Sequence, residues 1–250
     1  MAPAWGAEVV SSNIVGYDKI TINEGFNMIG AQFLKVGGSD LDLSTVGTLD
    51  SQMPGFDSDG NYDTELRVWN GRGYEYYGWS GTSGTDVLED STLDNKWLNG
   101  DLEEPEDETV SASGGFWIKA GTSGTITISG EVPSASSIEV PLIAGFNLVA
   151  NPFPADVKLS EFGQMDSSYP GFDSDGNFAA ELRTWNGRGY EYYGWSGTSG
   201  TDVLEDSSLD NKWLNGDLEE EDDTKVLLGH AVWIKTEAAG KITFTSPIAE

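Results

Sequence analysis

Oxygen-bearing side chains stand at alternate positions in two short stretches of the sequence, a spacing that suits a hard cation. The residues are Asp57, Asp59, Asn61 and Asp63 in the first stretch and Asp173, Asp175 and Asn177 in the second. A loop that presents oxygen ligands in this way can close round Ca²⁺, so we predict a calcium site in each stretch. The pattern does not match the positions of glycine and glutamate that define an EF-hand. An acidic surface turn is the alternative, because Asp, Asn and Gly favour turns for backbone reasons.

Aromatic residues are crowded into two further segments. They are Trp69, Tyr74, Tyr76, Tyr77 and Trp79 in the first segment and Trp185, Tyr190, Tyr192, Tyr193 and Trp195 in the second. Successive side chains of a strand point to opposite faces, so each segment places rings on both faces of its sheet. We therefore expect one set of rings to contact something outside the core, either another protein surface or a polysaccharide on which the rings stack. Packing in the core and at an interface is the simpler alternative.

No combination of residues in the sequence indicates catalysis. Carboxylates are so abundant that a pair suited to glycoside hydrolysis carries no information. The single histidine, His230, corresponds to Gly114 in the first half of the chain, and no serine nucleophile motif accompanies it. No glycine-rich segment matches a phosphate-binding loop. We predict that the protein is not an enzyme.

A tandem repeat organises the chain and presents these residues twice. Gly55–Glu104 recurs as Gly171–Glu220 with five substitutions. The stretches that precede the two blocks share a pattern but few identities. Core packing alone tolerates more change than the blocks show, since apolar swaps of similar volume cost little. Two explanations stay open, which are recent gene conversion and a functional surface that both copies keep.

Short strands and turns are predicted along both copies. Asn70-Gly71-Arg72-Gly73 lies between two strand patterns and predicts a β-hairpin, because Asn-Gly accepts positive φ at little cost. The 32 glycines and the lack of a long helical period predict an all-β fold, with two tandem homologous β-sandwich or small-barrel domains. The predicted units are an N-terminal segment at 1–18, the first repeat at 19–129, a linker at 130–137 and the second repeat at 138–250.

Motifs near the two ends of each copy resemble a known kind of repeat. Gly25-Phe26-Asn27-Met28 and Gly145-Phe146-Asn147-Leu148 open the copies, and Phe116-Trp117-Ile118-Lys119 and Val232-Trp233-Ile234-Lys235 stand near their ends. The pattern resembles tandem β-repeat domains of secreted and cell-surface bacterial proteins, which open with a Gly-Trp-Asn-Leu type strand and close with a Gly-Tyr-Trp-Val type strand. Phe26 and Phe146 replace the usual Trp. The resemblance implies an exported location and no defined activity.

Composition excludes several classes of partner and site. The chain has 250 residues, with 13 Lys and Arg against 42 Asp and Glu, and its formal net charge of −29 repels nucleic acid. The absence of cysteine excludes disulfides and thiolate metal sites, and a single histidine excludes multi-histidine metal sites. No run of 18 apolar residues is present, so we expect no membrane insertion.

The first residues of the chain motivate a prediction about location and assembly. Ala2-Pro3-Ala4 fits the small-residue end of a signal peptide, so we expect an extracellular or cell-surface location. Glu8-Val9 repeats Glu131-Val132 at the junction of the copies, and the apolar pair Val9-Val10 can add as a strand to a neighbouring chain. If chains reuse the contact between the copies, they associate head-to-tail. We predict an exported structural protein that forms a filament or surface array with the help of calcium. A tandem calcium-dependent carbohydrate-binding module is the alternative.

Overall fold

The fold consists of β-strands joined by turns. The computed structural model describes residues 14–51, 53–56, 61–81, 90–105, 108–172, 176–198, 206–220 and 223–247. Helical structure in these residues is confined to short 3-10 turns, which are Leu43–Thr45, Ser91–Leu93, Leu159–Glu161 and Ser207–Leu209. The predicted all-β fold is confirmed.

The two copies contribute equivalent sets of strands. The strands of the first copy are β1 Val15–Ile22, β2 Gly25–Gly30, β3 Leu41–Asp42, β4 Thr48–Leu49, β5 Thr64–Trp69, β6 Tyr74–Trp79, β7 Trp97–Leu98, β8 Thr109–Val110, β9 Gly115–Ala120 and β10 Gly124–Glu131. The strands of the second copy are β11 Ser137–Leu142, β12 Gly145–Ala150, β13 Val157–Lys158, β14 Gln164–Met165, β15 Ala180–Trp185, β16 Tyr190–Trp195, β17 Trp213–Leu214, β18 Lys225–Val226, β19 Ala231–Thr236 and β20 Gly240–Thr245.

Each copy builds one five-stranded and one three-stranded antiparallel sheet. In the first copy the strand orders are β2-β9-β5-β6-β7 and β1-β10-β4. In the second copy they are β12-β19-β15-β16-β17 and β11-β20-β14. The short pairs β3-β8 and β13-β18 complete the two halves. The repeat in the sequence is therefore a repeat in topology.

The two sheets of each copy enclose a hydrophobic core. In the first copy, Ile22 and Ile126 of the three-stranded sheet share one core with Leu66 and Phe116 of the five-stranded sheet. All four side chains are fully buried. The second copy has an equivalent core of its own. In each copy the two antiparallel sheets therefore contribute side chains to one shared core.

The two copies touch through contacts that occur twice with the roles exchanged. The N–H of Gly30 donates to the carbonyl of Gly229 at 2.9 Å. The N–H of Ala150, the counterpart of Gly30, donates to the carbonyl of Ser113, the counterpart of Gly229, at 2.8 Å. Such reciprocity is the mark of an isologous contact, so a pseudo-twofold axis relates the copies.

Residues beside this axis pack against their own counterparts. A Cβ added to Gly30 would lie 2.6 Å from the Cβ of Ala150, and one added to Gly115 would lie 2.6 Å from the Cβ of Ala231. Only small residues fit at such an approach. An isologous contact closes on itself, so within one molecule each copy occupies the contact surface of the other.

Three strands of the structure cross the boundaries that were predicted between the units of the chain. Strand β1 begins at Val15, inside the N-terminal segment predicted at 1–18. At the junction, Glu131 pairs with Val15 and so belongs to β10, while β11 already begins at Ser137. The connection between the copies is therefore shorter than the linker predicted at 130–137.

Candidate ligand-binding clefts between the two repeats

The outer faces of the two five-stranded sheets supply the aromatic residues of the candidate site. In β6, Tyr77 and Trp79 are buried in the core, so alternation along the strand directs Tyr74 and Tyr76 to the outer face. The predicted hairpin sets this register. Its Gly71 has a φ of 90°, and the side-chain oxygen of Asn70 accepts hydrogen bonds from the N–H groups of Arg72 and Gly73.

Two tryptophans join the sheets across the axis. The indole N–H of Trp69 donates to the carbonyl of Phe146 at 2.8 Å, and its ring meets that of Trp233 edge to face at 5.4 Å. In the reciprocal contact, the indole N–H of Trp185 donates to the carbonyl of Phe26, also at 2.8 Å. The two rings bury apolar surface and satisfy their polar N–H groups at the same time, which stabilises the contact between the copies.

An arginine lies between two exposed rings on each sheet. The guanidinium carbon of Arg67 is 4.9 Å from the centroid of Phe26 and 5.0 Å from that of Tyr76. The guanidinium carbon of Arg183 lies 4.8 Å from Phe146 and 4.9 Å from Tyr192. Cations within this distance of a ring face are attracted to it. Each arginine therefore holds two exposed rings in fixed positions.

Carboxylates pair with these arginines. In the first copy, Glu65 accepts hydrogen bonds from Nε and Nη2 of Arg67, at 3.1 and 2.7 Å, and an ion pair links it to Lys119 at 3.3 Å. Partial burial alone would raise the pKa of Glu65, but its bonds to Arg67 and Lys119 outweigh burial and lower the pKa below its ordinary value. In the second copy, Glu181 has a lowered pKa for the same reasons. The two hydrogen bonds from each arginine to its glutamate orient the guanidinium between the rings.

A cleft of about 310 Å³ opens between the copies beside these rings. This first cleft is lined by Phe26, Arg67, Tyr74, Trp117, Trp185 and Tyr190. The same residue types occupy the equivalent positions, which are Phe146, Arg183, Tyr190, Trp233, Trp69 and Tyr74, and we call this set the second cleft. Tyr74 and Tyr190 belong to both sets. A cleft of this volume with mostly aromatic walls has the properties of a small-molecule or oligomer site.

The rings at the edges of the clefts are open to solvent. Tyr76 is 54 % exposed and Tyr192 is 56 % exposed, while Phe26 and Phe146 are 40 % and 36 % exposed. Tyr74 and Tyr190 lie deeper, and burial raises the pKa of both phenols. A ligand in either cleft therefore meets apolar ring faces and neutral phenol hydroxyls.

The structure separates the predicted aromatic residues into two groups. Trp69, Tyr74, Tyr76 and their counterparts Trp185, Tyr190 and Tyr192 line or flank the clefts. Tyr77, Trp79, Tyr193 and Trp195 are buried in the two cores, so their rings cannot contact a partner. The reason is the two-residue period of the strand, which sends alternate rings inward. Within the core group, the Tyr77 hydroxyl donates to Glu108, which together with burial raises the pKa of Tyr77.

Three kinds of cleft residue were not among the predicted site residues. They are Phe26 and Phe146, Arg67 and Arg183, and Trp117 and Trp233. A signal for the phenylalanines was present, since both copies keep Gly-Phe-Asn in opening stretches that share few other identities. No signal in the sequence indicated the arginines, because Phe26, Arg67 and Tyr76 lie on different strands and come together only in the strand order of the folded sheet.

The predicted calcium ligands fall only in part within the described residues. Asp57, Asp59, Asp173 and Asp175 lie outside the described residues, whereas Asn61, Asp63 and Asn177 lie within them. The N–H of Asp63 donates to the carbonyl of Gly55, and its carbonyl accepts from the N–H of Gly121. No group of three His, Cys, Asp or Glu side chains placed to hold a metal occurs in the described part of the chain. The calcium site stays a prediction.

The predicted interface residues Val9 and Val10 lie beyond the described residues, and the single histidine lies away from the clefts. Val9 and Val10 belong to residues 1–13, which the structure does not describe. The backbone of His230 forms an isolated antiparallel bridge with Ile29, so this histidine lies where the copies meet. Its ring Nδ1 is 3.1 Å from the carbonyl of Leu228.

Comparison of the chain with protein-family models, curated proteins and solved structures found no match. None of the described residues belongs to a helix with the length and apolar character needed to cross a bilayer. Function is therefore inferred from the geometry of the clefts.

Proposed function

We propose that the protein binds a neutral polysaccharide in the aromatic clefts between its two repeats. The observation that carries this proposal is the exposed pair Phe26 and Tyr76, fixed on either side of Arg67 at the edge of the first cleft. Pyranose rings with equatorial substituents, such as β-linked glucose, present C–H groups on both faces and pack on aromatic rings. Because the rings are held before a ligand arrives, little ordering entropy is lost when the sugar binds.

The charge of the molecule favours a neutral glycan over an acidic one. The net charge of −29 opposes the approach of a polyanion. The one positive group of the first cleft, Arg67, is already paired with Glu65. Carboxylates act only as acceptors when they are ionised, and sugar hydroxyls are donors that suit them.

A panel of polysaccharides tests this proposal. We expect native gels that contain mixed-linkage β-glucan or glucomannan to retard the protein, and gels that contain hyaluronan or polygalacturonate to leave its mobility unchanged. Equal retardation by the anionic polymers would show that charge and not ring stacking governs binding. Retardation by none of the four would refute the proposal.

Self-association is a second candidate, favoured by the outer edge of strand β1. This strand is the edge of its sheet, and Val15 and Tyr17 are 63 % and 76 % exposed on it. No strand or bridge pairs with its outer edge among the residues that the structure describes. The equivalent edge strand β11 carries Pro141, which interrupts edge pairing, where β1 has Thr21.

The edge of β1 supports the proposal of an exported structural protein that adds copies of itself strand to strand. The location outside the cell, the resemblance to bacterial surface repeats and the help of calcium belong to that proposal. Sedimentation velocity at rising protein concentration, with and without calcium, tests it. A sedimentation coefficient that rises with protein concentration is the expected result, and a constant monomer mass under all conditions would contradict it.

A further inference from the structure

The two clefts repeat the same contacts. The ring centroids of Phe26 and Trp117 are 6.0 Å apart in the first cleft, and those of Phe146 and Trp233 are 5.8 Å apart in the second. The cross-copy tryptophan pairs are separated by 5.5 and 5.4 Å respectively. A ligand that fits one cleft therefore fits the other.

The axis between the clefts restricts how one polymer can use both. A polysaccharide chain has a direction, from its non-reducing to its reducing end. If the twofold axis is perpendicular to the chain, a straight segment meets the second cleft in the reversed direction. If the axis is parallel to the chain, the clefts lie side by side, and one segment occupies only one of them. A straight segment that lies in one cleft, away from the axis, therefore does not make the same contacts in the other.

We propose that each molecule binds two separate chain segments, one in each cleft, and so cross-links a neutral polysaccharide. This inference rests on the glycan binding proposed above. Tyr74 and Tyr190 belong to both clefts, and their ring contacts with Trp233 and Trp117 are the same on both sides, at 6.5 and 6.4 Å. The molecule then acts as a bivalent binder without forming a dimer.

A molecule with two clefts should bind a polymer more tightly than a molecule with one cleft does. When one cleft holds a segment of a polymer network, the second cleft meets further segments at a high effective concentration. Apparent affinity for the polymer should then exceed affinity for a short oligosaccharide by roughly a hundredfold. Mixtures of protein and polymer should also scatter light, because each molecule joins two chains.

Calorimetric titration with cellohexaose, together with light scattering in mixed-linkage β-glucan, tests the inference. The single variants Tyr76→Ala and Tyr192→Ala each weaken one cleft at an exposed ring, and Val36→Ala is the control on an exposed side chain that lines neither cleft. We expect two cellohexaose molecules per wild-type molecule and one per molecule of each single variant. Scattering above that of protein alone should appear for wild type and control and disappear for both single variants.

The possible failures are distinguishable. A single cellohexaose per wild-type molecule, or cross-linking that persists in a single variant, would overturn the bivalent inference while leaving glycan binding intact. Lack of any binding to cellohexaose and β-glucan would overturn the proposed function and the inference together. Scattering by the protein alone reports self-association and is subtracted.

Discussion

The indole N–H of Trp69 donates to the backbone carbonyl of Phe146 in the other copy, at 2.8 Å. Trp185 makes the same bond to Phe26. A reciprocal contact needs the same side-chain donor in both copies, which gives a physical reason for the retention of the two tryptophans, whereas the acceptor is a backbone carbonyl that any residue supplies. Part of the near-identity of the two sequence blocks is thus accounted for within the molecule itself.

Removing either tryptophan bond should destabilise the protein to the same extent. Trp69→Phe and Trp185→Phe each lose the donor to a carbonyl at the interface, and we expect each to lower the free energy of unfolding by about 1 to 2 kcal/mol. Urea denaturation measures both changes. A large difference between the two variants would contradict the pseudo-twofold account.

Enlarging a residue on the axis should force the copies apart. Gly115→Val would place a side chain where the Cβ of Ala231 already lies within 2.6 Å of the new Cβ position. We expect a loss of about 1 to 3 kcal/mol in unfolding free energy, as for other overpacked sites. We also expect a change in the near-ultraviolet circular dichroism of the interface tryptophans. Gly73→Ala is the control, since no atom lies within 4 Å of its added Cβ.

Acid should weaken the hydrogen bonds by which Glu65 and Glu181 orient Arg67 and Arg183. Their pKa values are lowered below the ordinary 4.5, so their contribution to stability is present in full above that pH. It is lost as the pH falls through the lowered values. We expect the stability difference between wild type and the double variant Glu65→Gln, Glu181→Gln to be constant from about pH 7 to 5 and to shrink towards pH 3. A difference that grows on acidification would contradict this assignment.

Blocking the edge of β1 should reduce self-association without unfolding the protein. Thr21 of β1 pairs with Thr125, and Pro141 occupies the equivalent position of β11, where it pairs with Lys241. A proline at position 21 is therefore compatible with the strand. Thr21→Pro removes an outward N–H that a second chain would use. We expect monomers by sedimentation velocity where the wild type associates, with the unfolding midpoint unchanged. Unaltered association would exclude this edge.

Local features of the fold followed from the sequence because they depend on local patterns. The hairpin at Asn70-Gly71 was predicted from turn chemistry and is confirmed by the pairing of β5 with β6. The prediction that rings lie on both faces of β6 agrees with the burial of Tyr77 and Trp79 and the exposure of Tyr76. The tandem repeat also predicted the duplicated topology. The connection after β10 was placed too early, since pairing of Glu131 with Val15 continues the strand.

The clefts were not predictable in the same way because they depend on how the copies meet. Trp69 and Phe146 are far apart in sequence, and no periodicity or spacing in the sequence indicates that they are in contact. The stacking of Arg67 between Phe26 and Tyr76 requires β2, β9, β5 and β6 to be neighbours in that order. The sequence identified the crowding of rings but not which of them face the core.

The central claim, that the rings at the cleft edges bind a neutral glycan, is tested most directly by the affinity of the double variant Tyr76→Ala, Tyr192→Ala. Both side chains are exposed, so stability should change by no more than about 0.5 kcal/mol for each. Calorimetric titration with cellohexaose should show binding that is at least about tenfold weaker than that of wild type, whereas Tyr17→Ala should bind as wild type does. Equal affinity of wild type and the folded double variant would contradict the account.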